Sequence, residues 1–378
     1  CSSDLANYNL GYCYFKKEDY ANALVWFRKY IREKTSGDEA RYNDALLRIA
    51  DAFFVQKDYS SAMDYYDKAV AEKARSTDYA YFQKGIIQGL LSKNKEKIET
   101  LQNILAKYPS SPYFDDAMYE RGFAYFQTGN PTEALNHYKK IVSDYPQSSY
   151  VKKALLGEGL VYYNNKEDDL ALQTYKQVVT QYPSSPEAKE ALSQIENLYV
   201  KLNKVDEYLA YTKTVPSLSI TSGKQDTLTY QSAELRYTKG ECDKAVEEFD
   251  SYLSKYPQGS FVLNSSFYRA QCLYQQKKFD DALAGFAVVL NSPSSAFTEK
   301  SLLHTSEIYF REKKQYDKAL ETYARLETSA YFPENIVIAQ AGQMRCNFIL
   351  QKYEQAISYA QKVLQEMEAL AFSSTLAR

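Results

Sequence analysis

The chain has 378 residues, with 46 Lys+Arg against 48 Asp+Glu, so its net charge is -2 when both histidines are neutral. This near balance argues against a nucleic-acid-binding protein, which normally carries a basic excess, and no stretch approaches the roughly 18 apolar residues of a membrane-spanning helix. The 13 glycines and 10 prolines are about half the usual share, which disfavours a turn-rich β-sandwich and favours helices.

A short pattern recurs along the chain: a small residue is followed four positions later by an aromatic one. Its alanines are 37 residues apart from Ala134 to Ala171, and again at each step from Ala245 to Ala356. The distance from Ala23 to Ala356 holds nine such steps, which predicts ten repeat units. The pairs are Ala23/Phe27, Ala62/Tyr66, Ala134/Tyr138, Ala171/Tyr175, Ala245/Phe249, Ala282/Phe286 and Ala319/Tyr323.

A second small residue stands twelve positions before the alanine in most units. Apolar residues nearby follow the i, i+3, i+4 spacing of an amphipathic helix, as at Leu10, Tyr14 and Phe15. Small residues at both positions let two helices approach closely, so each unit is predicted to be a helix, a short turn and a second helix. The ninth unit needs one extra residue to keep this register. The small residues are Gly11, Ala50, Gly85, Gly122, Gly159, Ala233 and Ala270.

A Tyr-Pro motif joins successive units. Its proline is expected to end the outgoing helix, and the serines that follow are expected to cap the incoming one. One copy would carry little weight, but four copies at matching phase support the repeat. They occupy residues 108–112, 145–149, 182–186 and 256–260.

These features resemble the tetratricopeptide-repeat (TPR) family, whose unit has ~34 residues. Gly122, Tyr125, Ala134, Tyr138 and Pro146 stand at the family's offsets, and the next unit repeats them. The resemblance implies an all-α fold, a right-handed α-solenoid of about ten helix-turn-helix hairpins. The Tyr-Pro joint is most similar to bacterial cell-envelope TPR proteins, of the Tol-Pal-associated or outer-membrane-assembly-lipoprotein type.

Two units depart from the pattern. The third has Lys97 at the alanine position and Gly89 where its neighbours carry an aromatic residue. The sixth has the bulky Tyr208 at the alanine position, which should splay its hairpin, and residues 216–226 after it lack helical periodicity. We therefore predict an N-terminal sub-array over residues 1–215, an irregular joint over 216–226 and a C-terminal sub-array over 227–378. A harmless surface loop is the alternative.

The sequence shows no catalytic or metal-ligating motif. Cys13, Cys272 and Cys346 share one phase of their repeats and are predicted to be small buried side chains, whereas Cys242 has no motif partner. His137 and His304 are predicted on exposed helix faces, without metal-ligand spacing. We therefore expect a protein that is not an enzyme and that binds no metal or cofactor.

The resemblance also implies which residues face the concave side of the solenoid, because positions five and nine of each first helix line that side in TPR proteins. An aromatic groove suits an extended or helical peptide, since rigid rings bury much area at little entropic cost. The alternative is that these rings only pack between repeats. The predicted peptide-binding residues are Tyr8, Tyr12, Phe82, Tyr119, Phe123, Tyr230 and Phe267.

The predicted function is a non-enzymatic scaffold that binds a protein or peptide partner on its concave face, in bacterial envelope assembly or maintenance. A glycan-binding solenoid and the binding module of a larger multidomain protein are the alternatives. Nucleic acid is not expected as a partner.

The sequence also leads to an expectation for each end of the chain. Cys1 is either the lipidated N-terminus of a bacterial lipoprotein or a boundary inside a longer protein, and membrane association is expected only in the first case. The expected location is the bacterial periplasm or the outer membrane, with the cytoplasm as an alternative. Phe372 and Leu376 are apolar, so we expect the chain to continue past Arg378 or this end to dock on another surface.

Overall fold

The structure is a computed structural model that describes residues 3–33, 38–72, 76–215 and 218–376. Over these residues all regular structure is helical, which confirms the all-α prediction. A π-helical turn, Ile308–Glu312, follows α17. The α-helices are α1 Ser3–Lys16, α2 Tyr20–Glu33, α3 Glu39–Val55, α4 Tyr59–Ala71, α5 Thr77–Leu90, α6 Asn94–Lys107, α7 Phe114–Gln127, α8 Pro131–Asp144, α9 Val151–Asn164, α10 Asp168–Gln181, α11 Pro186–Lys201, α12 Val205–Thr212, α13 Ser222–Thr238, α14 Cys242–Lys255, α15 Val262–Gln275, α16 Phe279–Leu290, α17 Thr298–Glu307, α18 Tyr316–Ser329, α19 Pro333–Ile349 and α20 Tyr353–Leu376.

The helices group into two compact units, Cys1–Ile195 and Glu196–Arg378. In the first unit consecutive helices pack on each other from the pair α1 and α2 to the pair α9 and α10, and in the second unit from the pair α12 and α13 to the pair α19 and α20. Each unit is therefore a stack of helical hairpins, as in an α-solenoid.

A close contact between the two helices of a hairpin explains the repeat pattern. A Cβ added at Gly11 would lie 2.6 Å from Phe27 Cδ1, and one added at Gly159 would lie 2.5 Å from Tyr175 Cε1. The small residue of the first helix is therefore required by the aromatic ring of the second helix. The repeat alanines on the second helices are fully buried: Ala23, Ala62, Ala134, Ala171, Ala245, Ala282 and Ala319.

Each predicted hairpin turn contains one residue in the left-handed conformation. In the fourth hairpin, Gly129 N–H donates to Phe126 O (3.1 Å) and Asn130 N–H donates to Tyr125 O (2.9 Å), which is a Schellman motif. Most of these residues are not glycine, so the packed stack imposes the conformation and the local sequence does not signal it. They are Glu18, Lys57, Ser92, Gly129, Lys166, Asn203, Gly240, Lys277, Lys314 and Gln351.

The extra residue of the ninth unit is absorbed by the π-helical turn. Lys313 N–H donates to Ile308 O (2.9 Å), a bond that spans five residues instead of four. A π-turn inserts one residue without breaking the helix, so the small Ser306 keeps its buried position.

The joint serines act differently from the prediction. Ser111 Oγ donates to Asp78 Oδ2 in the preceding repeat (2.6 Å) and accepts from the Tyr113 N–H (3.1 Å). The equivalent serine of the next joint makes the same two contacts, and α7 and α9 begin without a side-chain cap. Only in the third joint does a serine act as predicted, where Ser185 Oγ accepts from Ala188 N–H (3.1 Å). Two of these serines therefore link neighbouring repeats.

The sixth hairpin accommodates its bulky residue. Tyr208 is buried, and its hydroxyl donates to Glu196 Oε2 (2.9 Å). The following helix α13 begins at Ser222, with Thr221 Oγ1 accepting from Lys224 N–H (3.2 Å). Residues 222–226 of the predicted joint are thus helical, and the two compact units divide earlier than residue 215. Residues 216 and 217 lie outside the described part of the chain.

In the third hairpin the two residues that depart from the pattern, Lys97 and Gly89, lie against each other. Lys97 is 3% exposed, and its ammonium bonds the carboxylate of Glu120. A Cβ at position 89 would lie 3.0 Å from Lys97 Nζ. Gly89 therefore provides the space that the lysine side chain fills.

The structure corrects the cysteine predictions on two points, the pairing of Cys242 with Cys272 and the burial of Cys13. Cys242 and Cys272 form a disulfide between α14 and α15, with Cα atoms 5.2 Å apart. Cys272 is buried, as expected, but bonded. Cys13 is exposed because no earlier hairpin within the described residues covers it, whereas Cys346 is buried as predicted.

Both histidines are half-buried, which corrects their predicted exposure. His137 Nδ1 lies 2.8 Å from Glu133 O, and Arg121 Nη1 donates to its Nε2 at 3.0 Å. Burial lowers the pKa of His137 and of His304, so both rings are neutral at pH 7.

We expect Glu120→Gln to destabilise the first unit more than Lys97→Met does. Loss of the Glu120 charge leaves the buried ammonium without a counter-ion, at a cost of about 3 kcal/mol. Methionine fills similar space without a charge and should cost less than about 1.5 kcal/mol. The midpoints of urea unfolding, followed by circular dichroism, would compare the variants, and equal losses would contradict this pairing.

Reduction of the disulfide should destabilise the second unit. The bond closes a loop of 30 residues, and its removal is expected to cost roughly 2–4 kcal/mol. Dithiothreitol should lower the unfolding midpoint of the wild type to that of the double variant Cys242→Ser/Cys272→Ser. The midpoint of the double variant should not change with dithiothreitol. Cys13→Ser is the control, and dithiothreitol should lower its midpoint as it does for the wild type. A wild-type midpoint that dithiothreitol leaves unchanged would rule the bond out.

Candidate functional site

Three of the predicted binding residues contribute to packing between repeats. Tyr8 and Tyr12 both donate to Asp44 Oδ2 of the next repeat, at 2.8 and 2.7 Å. The Phe82 ring stacks on Tyr113, with centroids 5.2 Å apart. All three predicted residues are half-buried, so part of each remains at the surface.

Tyr230 and Phe267 are core residues, which corrects their assignment to an open face. They are 3% and 4% exposed. Tyr230 stacks on Phe261 at 4.3 Å and Phe267 stacks on Phe297 at 4.5 Å between ring centroids. The rings of the joints cover them, so a partner cannot reach them without displacing these rings.

Tyr119 and Phe123 line a groove in the first unit, with a cavity of about 360 Å³. Leu156 and Leu160 of α9 also line it, so positions five and nine of two successive repeats meet here. Phe123 is 39% exposed. We call this surface the Tyr119 groove, and a role in binding remains a prediction. Its lining residues are Tyr119, Phe123, Phe126, Tyr138, Lys153, Leu156, Gly157, Leu160, Tyr175, Pro186, Glu187, Glu190 and Gln194.

The buried repeat aromatics form part of this lining. Tyr138 and Tyr175 are almost fully buried on the second helices. A Cβ at Gly157 would lie 2.8 Å from Cε2 and Cζ of Tyr138. The absence of a side chain at Gly157 thus lets α9 lie directly against the tyrosine ring.

Tyr119 carries a neutral hydroxyl group in the groove. Burial, with the carboxylates of Glu120, Glu190 and Glu187, raises the pKa of Tyr119 to about 12. Its hydroxyl is therefore neutral at physiological pH and available as a hydrogen-bond donor. The ring lies 5.1 Å from Tyr150 between centroids, which limits its motion.

Sequence reasoning missed the groove residues outside positions five and nine. Lys153 and Gly157 lie on α9 and Glu187 and Glu190 on α11. The sequence offered one signal: Glu187 directly follows the second proline of a Tyr-Pro joint, at the start of a first helix.

A second, apolar cavity of about 570 Å³ lies in the second unit. Phe348 and Ile349 of α19 and Tyr353 and Ile357 of α20 line it and are exposed. None of its residues belongs to the predicted binding set. The side chains of Phe372 and Leu376 lie outside the described part of α20, so their expected exposure stays a prediction, and so does lipidation of Cys1.

Among the described residues, no group of three His, Cys, Asp or Glu side chains is placed to hold a metal ion. Within the same part of the chain, every helix is too short or too polar to cross a membrane.

Family models of the tetratricopeptide repeat match residues 5–35, 35–78, 79–111, 116–148, 153–185 and 230–296, together more than half of the chain. No curated protein matches it.

Several solved structures are similar in fold. The MamA protein shares 21% identity over 47% of this chain and 90% of its own, with a TM-score of 0.40. A tetratricopeptide repeat protein from Parabacteroides merdae ATCC 43184 shares 16% identity over 82% of this chain and all of its own, with a TM-score of 0.35. YrrB, a TPR protein with an unusual peptide-binding site, shares 17% identity over 49% of this chain and 89% of its own, with a TM-score of 0.40.

Gly157→Ala should destabilise the first unit by about 1–3 kcal/mol, because its methyl group collides with the fixed ring of Tyr138. Gly223→Ala is the matched control, since a Cβ there meets nothing within 4 Å. That variant should be neutral or slightly stabilising in helix α13. Urea unfolding measures both, and a Gly157 variant as stable as the wild type would show that α9 can move away from the ring.

Proposed function

Because the chain belongs to the tetratricopeptide-repeat family, we propose that it is a non-enzymatic scaffold that binds an extended segment of a partner protein in the Tyr119 groove. The main support for this proposal is that positions five and nine of successive repeats line one cavity of about 360 Å³.

The lining favours a segment with an apolar or aromatic anchor side chain. Phe123 and Leu160 are partly exposed and lose contact with water when such a side chain inserts, which is the main favourable term. Tyr119 and Tyr138 are held by neighbouring rings, so little side-chain entropy is lost on binding. The neutral Tyr119 hydroxyl can donate to a backbone carbonyl of the segment.

A role in bacterial envelope assembly or maintenance, in the periplasm or at the outer membrane, is part of the proposal. The disulfide between Cys242 and Cys272 supports it, because disulfides persist in oxidising compartments such as the bacterial periplasm. Lipidation of Cys1 would add membrane association. Mass spectrometry of the native N-terminus tests this part: an unmodified Cys1 inside a longer cytoplasmic chain would oppose it.

The groove is tested with a phage-displayed library of random 12-residue peptides, selected on the whole chain. Synthetic peptides from the enriched clones are then measured by fluorescence anisotropy. Phe123→Ala and Tyr119→Ala should each weaken binding at least tenfold, because loss of a central interface residue costs more than about 1.4 kcal/mol. Leu90→Ala removes an equally apolar, 57% exposed side chain elsewhere in the same unit and should leave binding unchanged.

Circular dichroism of each variant confirms that its fold is kept. Peptides that bind both groove variants as tightly as the wild type would place the binding surface elsewhere. If no peptide is enriched, and the protein binds a glycan array in a way that Phe123→Ala abolishes, the ligand of the groove is a glycan and not a peptide.

A further inference from the structure

One carboxylate oxygen of the Tyr119 groove is buried without a partner. Oε2 of Glu187 is shielded from solvent and accepts no hydrogen bond from the described residues. Glu187 lies in the first turn of α11, where the positive end of the helix dipole attracts carboxylate groups. A shielded acceptor oxygen without a donor is costly, and the ammonium or guanidinium group of a ligand would supply the missing donor.

The other charges of the lining give a net negative groove. Glu190 lies on the same helix, one turn after Glu187, and is exposed. Lys153 supplies the positive charge, and its Nζ lies over the Tyr150 ring, 5.1 Å from the centroid. The nearby Glu120 is paired with a lysine. The lining thus carries two carboxylates against one ammonium group, which is complementary to a basic ligand.

We propose that the segment bound in the Tyr119 groove carries a lysine or arginine beside its apolar anchor, and that Glu187 binds the cationic group. This inference rests on the proposed function. The alkyl stem of such a residue packs along Phe123 and Leu160 while its charged end reaches the carboxylate. Glu190 adds a second, solvated carboxylate.

The 12-residue library provides the probe. Enriched peptides should contain a lysine or arginine within two residues of an apolar residue, and replacement of that basic residue by norleucine should weaken binding to the wild type at least tenfold. Glu187→Gln should weaken the basic peptide by a similar factor and leave the norleucine peptide nearly unchanged. Glu96→Gln is the control, because Glu96 is also a first-turn glutamate of the first unit but is exposed and does not line the groove.

The outcomes separate the two proposals. If enriched peptides depend on Phe123 but show no basic residue, or if Glu187→Gln weakens the lysine and norleucine peptides equally, the inference is overturned and the peptide-binding function stands. If no enriched peptide depends on Phe123 or Tyr119, the proposed function fails and the inference falls with it. Circular dichroism verifies the fold of Glu187→Gln, so misfolding cannot imitate either result.

Discussion

The fold depends on one contact that recurs along the chain: an aromatic ring of the second helix lies against a small residue of the first, as in the first, fourth and fifth hairpins. Phe27 against Gly11 and Tyr175 against Gly159 leave no room for a methyl group. Protein interiors are close-packed, so such a contact fixes the distance and rotation of the two helices. Repetition of the same contact makes successive hairpins alike, and it brings equivalent positions of α7 and α9 together at the Tyr119 groove.

Local departures from this contact are compensated inside the same hairpin or by the next one. The buried Lys97 has its space from Gly89 and its counter-charge from Glu120, and Tyr208 has an acceptor in Glu196. In a stacked array each repeat contacts mainly its neighbours. A change in one hairpin therefore needs to be matched only locally, which explains how one chain holds repeats of such different composition.

The sequence was sufficient to predict the hairpins, because the spacing of small and aromatic residues reflects the contact that forms them. It was not sufficient to predict which residues form the site. Tyr230 and Phe267 occupy the same repeat positions as Tyr119, but the rings of Phe261 and Phe297 stack on them at 4.3 and 4.5 Å, closer than the 5.1 Å between Tyr119 and Tyr150. The periodicity does not predict this difference. Glu187 lines the groove from α11, the first helix of the following hairpin. The disulfide joins cysteines 30 residues apart with no shared motif. Such contacts depend on the register between repeats, which periodicity alone does not specify.

The disulfide has a consequence for how the molecule opens. A stack held by nearest-neighbour contacts frays repeat by repeat, and each repeat has its own opening free energy. The bond between α14 and α15 joins the second helix of one hairpin to the first helix of the next. The bond therefore couples the opening of these two hairpins, and their amide hydrogens should exchange as one cooperative block. An oxidising environment thus determines which repeats open together as well as how stable they are.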